Sequence, residues 1–306
     1  MTVNKLDMPA PSTAPQIATI NPKRFWITAS LLTVYIVWGT TYLGSHIAMA
    51  SFPPYLLMGI RFLIAGIILY VGLRLNGSTP PTLAQWRNST IAGGLIIVGG
   101  TGSIALAQNA AISSGLAATL VATVPLWTLI FGLIWKKKPG RYEWIGVGLG
   151  IVGVAVMTME GNLQANPIGV GIILFGAASW AFGSVLSTHL NLPKGMMINA
   201  AQMLMAGILF LVFSALRGEH MVGTPTSDTL WALIYLITFG SLGGMSAYIY
   251  LLSNVSPLLA TSYTFVNPVI ALLLGVFIGG EVLTGSAFIA LPLILLGVGF
   301  VAYRKT

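Results

Sequence analysis

The side chains with chemistry to offer are few in this 306-residue chain, and their spacing excludes more than it suggests. Three histidines, His46, His189 and His220, stand far apart. None has a carboxylate at a helical spacing, so HExxH and related metal patterns are absent. There is no cysteine, which excludes thiolate catalysis, disulfides and thiolate metal sites. The six acids are Asp7, Glu143, Glu160, Glu219, Asp228 and Glu281, and none falls in the middle of an apolar run. An intramembrane protease, a metal-dependent phosphate chemistry and the usual proton-coupling carboxylate therefore all lack their residues. GGTGS at 99–103 lacks the lysine and the strand–helix context of a phosphate loop and reads as small-residue helix packing. No metal, no cofactor and no enzyme activity is expected.

What remains is binding chemistry inside apolar runs. Trp38, Trp127 and Trp180 are mid-run, where an indole N–H needs a partner, whereas the other five tryptophans fall near run ends. Tyr42 lies one turn beyond Trp38, and Tyr263 one turn before Asn267. With Gln108, Ser184 and Tyr250 these residues fit a cavity lined by aromatics and neutral hydrogen-bonding groups. Interhelical bonding explains any single one of them equally well. Pro125 and Pro268 stand at the centres of two runs, where proline would free the carbonyls of Val121 and Thr264 and kink the helix. Such kinks can act as hinges or serve packing alone. Arg61 is the single basic residue inside a run; a charge there points to function, yet two turns from a helix start it can also snorkel outward or bond carbonyls, and a structural role is expected. Glu281 is expected to cap or tether helices.

These residues are embedded in a chain that is 56% hydrophobic and 7% charged, with a mean hydropathy of +0.89. A soluble domain carries about 25% charged residues, so lipid must solvate this one. Ten apolar runs of spanning length follow one another at 25–47, 54–74, 88–110, 114–134, 141–158, 167–188, 195–216, 227–252, 257–279 and 285–303. Residues 1–24 are rich in Pro, Thr and Ala without an apolar core and read as a disordered cytoplasmic tail. With both ends cytoplasmic, twelve of the fourteen Lys and Arg, including Lys136, Lys137 and Lys138, lie on the cytoplasmic side. Arg217 alone faces outward, and Arg61 is within a span. The formal net charge of +8 is thus explained by topology; nucleic-acid binding is not expected.

The two halves repeat. Trp38 matches Trp180 at a distance of 142 residues, Ala65-Gly66-Ile67 matches Ala206-Gly207-Ile208 at 141, and Pro125 matches Pro268 at 143. Gly153-Val154 matches Gly297-Val298 at 144. Each repeat holds five helices, and five is odd, so the second copy enters the membrane from the opposite side. KKKPGRYEW (136–144) aligns with GGEVLTGSA (279–287), which has lost every basic residue, as inverted orientation requires.

The motifs YIVWGTTYL (35–43), PYLLMGIRFLIAG (54–66), SGLAATLVATVPLWT (114–128), SWAFGSV (179–185), SPLLATSYTFVNPVIALLLG (256–275) and GGEVLTG (279–285) resemble the drug/metabolite transporter superfamily in its ten-helix EamA-type exporter branch. The fold class expected is an all-α membrane protein of ten helices in two inverted five-helix repeats, at 25–158 and 167–303. The resemblance implies a bacterial inner-membrane permease with a central cavity bounded by helices 1, 3, 4, 6, 8 and 9, working by alternating access. The partners expected are the lipid bilayer and a small-molecule substrate: an amino acid, a related metabolite or an amphiphilic drug. The oligomeric state expected is a monomer or weak homodimer. A wall without fixed charge would suit neutral, zwitterionic or broadly apolar solutes. The alternative is a translocator of lipids or lipid-linked carriers, for which Arg61 is the one candidate headgroup contact.

Overall fold

The computed structural model describes residues 22–109, 117, 120–158, 167–270 and 285–303. The tail through residue 21, the 110–116 stretch and Glu281 lie outside the described residues. Ten helical rods follow one another: α1 (Pro22–Ala48), α2 (Pro54–Leu75), α3 (residues 83–109), α4 (Val124–Trp135), α5 (Arg141–Thr158), α6 (Pro167–Ser187), α7 (Met197–Leu216), α8 (Ser227–Asn254), α9 (residues 257–270) and α10 (Gly285–Ala302). Six of them are long and apolar enough to cross a membrane on their own described length.

Lipid as the outer solvent inverts the usual polarity of the rods. On α1 the buried side carries Ser30, Trp38, Gly39, Gly44 and Ser45, while Leu32, Ile36 and Leu43 are exposed. On α7 Asn199, Gln202 and Ser214 are buried, while Ile208, Val212 and Leu216 are exposed. Helices in a bilayer gain little by hiding leucine from leucine-like tails; they associate through close contacts of small residues and hydrogen bonds.

Local signals set the ends and the breaks. α3 begins at Leu83, ahead of the expected 88, because Thr82 and Gln85 form a capping box. Gln85 Oε1 accepts from Thr82 N at 2.9 Å, and Thr82 Oγ1 accepts from Gln85 N at 3.3 Å. Pro125 falls in the first turn of the α4 helix, directly after a turn at Ala122 and Thr123. Helical residues stand on both sides of that turn, so the helix is interrupted in the turn before the proline, whose missing N–H removes a backbone hydrogen bond there. In α9 the break lies at Thr261 and Ser262, and the helix of residues 263–270 runs through Pro268. α3 and α8 each contain a π-helical stretch, Gly94–Thr101 and Leu236–Met245.

Two pairs of repeat mates, α2 with α7 and α5 with α10, pack directly on each other. A Cβ on Gly66 would meet Leu204 N at 2.7 Å, and a Cβ on Gly207 would meet Leu63 N at 2.5 Å. Gly66 and Gly207, like Leu63 and Leu204, are mates at 141 residues, so the contact is reciprocal. Gly59 meets Leu211 in the same interface, so the partner number rises as the α2 number falls and the helices run antiparallel. A two-fold axis perpendicular to the helices, within the membrane plane, is what produces reciprocal antiparallel contacts. Gly153 against Ala290 O at 3.1 Å and Gly297 against Gly146 O at 2.8 Å repeat the pattern between α5 and α10.

The other helix pairs depart from this symmetry. LIIVG at 95–99 in α3 matches LITFG at 236–240 in α8. Thr41 of α1 lies against Gly240, where a Cβ would be 3.1 Å from its Cγ2. Its counterpart Gly183 in α6 lies against Leu95 and Ile96, at 2.8 Å from both side chains, and not against Gly99. One pair is displaced along its length by about three residues relative to the other, or about 4.5 Å at the helical rise.

Candidate functional site

At the centre four aromatic rings meet from four helices. Trp38 of α1 stands edge-on to Trp180 of α6, its repeat mate, with centroids 5.3 Å apart and planes at 89°. Tyr263 of α9 packs edge-on to Trp38 at 4.7 Å, and Tyr248 of α8 packs against Trp38 at 5.2 Å and Trp180 at 5.4 Å. Tyr248 and Tyr263 close the ring at 5.9 Å. Offset and edge-to-face geometry aligns positive ring edges with negative faces and stabilises such pairs by about 0.5–1.5 kcal/mol beyond burial.

Each indole N–H of the quartet finds a partner, whereas Trp127 Nε1 is buried without one. Trp38 Nε1 donates to the carbonyl of Gly240 at 3.1 Å, within the π-helical stretch of α8. Trp180 Nε1 donates to Tyr248 Oη at 2.8 Å, and that hydroxyl shares a 2.6 Å hydrogen bond with Ser184 Oγ. Small residues let the rings in: a Cβ on Gly100 would stand 2.5 Å from Trp180, and one on Gly244 would stand 2.3 Å from Trp38. The glycines of GGTGS thus serve close packing.

A cavity opens on the side of the quartet toward the α1–α2 connection, with about 720 Å³ of empty space, its mouth included. Trp38, Tyr42, Trp180, Tyr263 and Asn267 line it, five of the residues the sequence singles out. Ser184 is fully buried behind Tyr248, and Trp127 stacks on Phe131 at 5.9 Å outside the lining. Tyr250 is half-buried and outside the lining, and the side chain of Gln108 lies outside the described residues. Pro125 and Pro268 are buried beside the cavity walls, Pro125 next to Val124 and Pro268 next to Asn267, which both line it.

Two members escaped the sequence reading. Tyr248, not its near neighbour Tyr250, belongs to the quartet, and it follows the π-helical stretch of α8. One extra residue in a turn rotates everything after it by about 100°. The second is the position of Arg61. It is 4% exposed and does not snorkel: it lines the cavity, so the wall does carry a fixed charge, and α2 joins the helices expected around the site. Its Nε donates to Ser241 Oγ at 2.8 Å, and its guanidinium lies 4.9 Å from the Phe62 ring centroid.

On the side of the quartet nearer the chain termini a second cavity, with about 1290 Å³ of empty space, its mouth included, is lined by Thr128, Lys137, Val185, Leu252 and Pro257, and contacts cross between helices beside it. Tyr35 of α1 and Ser262 of α9 share a 2.7 Å hydrogen bond. Trp135 at the end of α4 stacks on His189 beyond α6, with centroids 4.7 Å apart and planes at 5°. Asn88 Nδ2 donates to Asn191 O at 3.0 Å and ties α3 to the same loop.

The model of the EamA-like transporter family matches residues 25–159 and again 167–303. The chain is 42% identical over 276 residues to the inner membrane transporter YedA of Escherichia coli (strain K12), covering 90% of each. It is 26% identical over 281 residues to a "probable amino-acid metabolite efflux pump" of Salmonella typhimurium, covering 87% of this chain and 91% of the relative. A protein of known crystal structure shares the fold at a TM-score of 0.75 and 20% identity, over 90% of this chain and 96% of its own.

Proposed function

The chain belongs to the EamA-like transporter family and is a multi-pass membrane transporter, and from that premise we propose that it exports small organic solutes across the bacterial inner membrane by alternating access, with both ends cytoplasmic. The observation that carries this reading is the cavity between the repeats, floored where the mates Trp38 and Trp180 meet. A solute resting on the indoles would lie on the pseudo-two-fold axis, within reach of either side. Tyr35–Ser262 and Trp135–His189 are the contacts that a cycle of alternating access would break and remake on the termini side. Flux follows the solute gradient, since no described carboxylate lines the cavity through which a proton could be coupled. The amino-acid efflux named for a relative supports amino acids and their metabolites as the first solutes to try.

Flux in proteoliposomes tests the reading, with a panel of amino acids and amphiphilic drugs, with and without a pH gradient. The expected result is movement of part of the panel down its own gradient, reduced at least severalfold by Trp38→Ala in protein shown to be folded. No movement of any solute by folded protein would overturn the reading and favour lipid translocation.

A further inference from the structure

Arg61 is a buried cation with no carboxylate counter-ion among the described residues. It is 4% exposed. The described acids are engaged elsewhere: Glu143 accepts from Gly140 N, Glu219 accepts from Leu56 N at 2.8 Å, and Asp228 sits in the first turn of α8. A charge at membrane depth without a partner is costly and persists only where something compensates it.

The guanidinium has five N–H donors in a planar fork. Nε is used by Ser241 Oγ at 2.8 Å. Nη1 has only the Met58 sulfur at 4.0 Å, a weak acceptor, and Nη2 has no acceptor among the described residues. Phe62 lies beside it, 4.9 Å from its ring centroid. The unspent donors belong to a side chain that lines the cavity. Gly240 fixes where they stand: a Cβ there would be 2.6 Å from Nη2, and the same residue's carbonyl holds Trp38 Nε1. The free end of the fork and the edge of the indole floor are therefore neighbours.

We propose that Arg61 is the anion-recognition group of the cavity, and that its Nη1 and Nη2 take the carboxylate of the transported solute while the apolar remainder lies on Trp38 and Trp180. This rests on the transport reading above and narrows it to carboxylate-bearing solutes. A carboxylate matches the guanidinium fork in two parallel hydrogen bonds, a geometry lysine cannot supply. A second unspent group supports a polar solute end. Asn267 lines the same cavity, is 2% exposed, and its Oδ1 has no partner, so it can accept from a solute donor. The arginine that looked structural in the sequence is thus a specificity-determining residue.

The test is binding to full-length protein in lipid nanodiscs, read by quenching of tryptophan fluorescence. The probes are matched pairs differing only at the carboxyl group: phenylalanine with phenylalaninamide, and leucine with leucinamide. The expected wild-type result is an acid preferred over its amide by about tenfold or more, the range for hydrogen bonds to a charged group. Arg61→Gln should abolish that preference while leaving amide binding in place, which a merely structural loss would not do. Arg61→Lys should keep part of it. Equal binding of acid and amide to the wild type, with either compound moved in liposomes, overturns the proposal and leaves the transport reading standing. An acid preference that survives in Arg61→Gln also overturns it. Should Arg61→Gln fail to fold, the wild-type preference and Arg61→Lys decide. The phosphate of a lipid headgroup could use the same fork. Arg61-dependent retention of phospholipid, measured by mass spectrometry of purified protein that shows no response to any acid, would overturn the solute assignment in favour of lipid.

Discussion

Gly207→Ala should weaken the interface between the repeats, and the structure fixes both the sign and the size. An added Cβ would stand 2.5 Å from Leu63 N and 2.7 Å from Leu63 Cα, whereas ordinary contact begins at 3.4 Å. The obstructing atoms are backbone, so no rotamer change relieves them, and α2 and α7 must part locally by about 1 Å. Overpacking of this kind costs about 1–3 kcal/mol. Replacing a helical glycine by alanine returns about 0.5–1 kcal/mol, which leaves a net loss of up to about 2.5 kcal/mol. Gly72→Ala on the same helix α2 is the control, since a Cβ there meets nothing within 4 Å. It should gain up to about 1 kcal/mol. Gly66→Ala should match Gly207→Ala through the pseudo-two-fold axis. The double variant should lose less than the sum, because one separation of the helices relieves both clashes. Unfolding in mixed micelles of mild detergent and dodecyl sulfate, followed by tryptophan fluorescence, measures all four. Gly207→Ala as stable as the wild type would refute the reciprocal packing.

Tyr248→Phe removes the hydroxyl that accepts from Trp180 Nε1 and joins Ser184, leaving a buried indole N–H unpaired. It should lose about 1–3 kcal/mol in the same unfolding assay, while Tyr250→Phe, outside the quartet, should stay within about 0.5 kcal/mol. His189 has its pKa lowered below the usual 6.5 by partial burial and then by Lys137. The folded state therefore binds fewer protons than the unfolded one, so the stability linked to His189 is complete above 6.5 and is lost as pH falls through the lowered folded value. Thermal unfolding between pH 7.5 and pH 5 in detergent should show His189→Gln with a shallower loss than the wild type.

The fold was legible because membrane constraints are few and strong. Ten apolar runs give ten rods, and the steady repeat offset from Trp38–Trp180 to Gly153–Gly297 makes two five-helix copies. An odd number of helices per copy then leaves only an inverted arrangement. The site was legible where residue type alone decides, as at Trp38 and Trp180. It was not legible where helical phase decides. Tyr248 follows a π-helical stretch, which shifts the helical phase, and no propensity marks that stretch in LITFGSLGGM. Pro125 and Pro268 promised matched kinks, but the two turns fall at different distances from their prolines. Arg61 could be placed at membrane depth from sequence, but not on the cavity wall, because its direction depends on Ser241 and Gly240 from a helix 180 residues away.

The symmetric and asymmetric contacts divide the molecule in two. Reciprocal glycine contacts join α2 to α7 and α5 to α10, and because they are self-mated about the axis they need not change when the repeats exchange roles. The displacement of about three residues lies elsewhere, between the α1–α8 and α3–α6 pairs, which carry the indoles and the two π-helical stretches. If the proposed alternating access holds, the opposite state would be reached by trading these registers, with Gly183 moving to Gly99 as Thr41 now meets Gly240. Sliding of about one turn is a known mode of switching between packed helices. The π-helical carbonyls make it plausible chemically, for Gly240 O and Leu95 O already accept from side chains of the facing helix, Trp38 and Ser179, and a slide exchanges one acceptor for the next. In such a cycle the glycine-rich faces would be the smooth tracks of the motion, and the aromatic quartet would open or close with each slide.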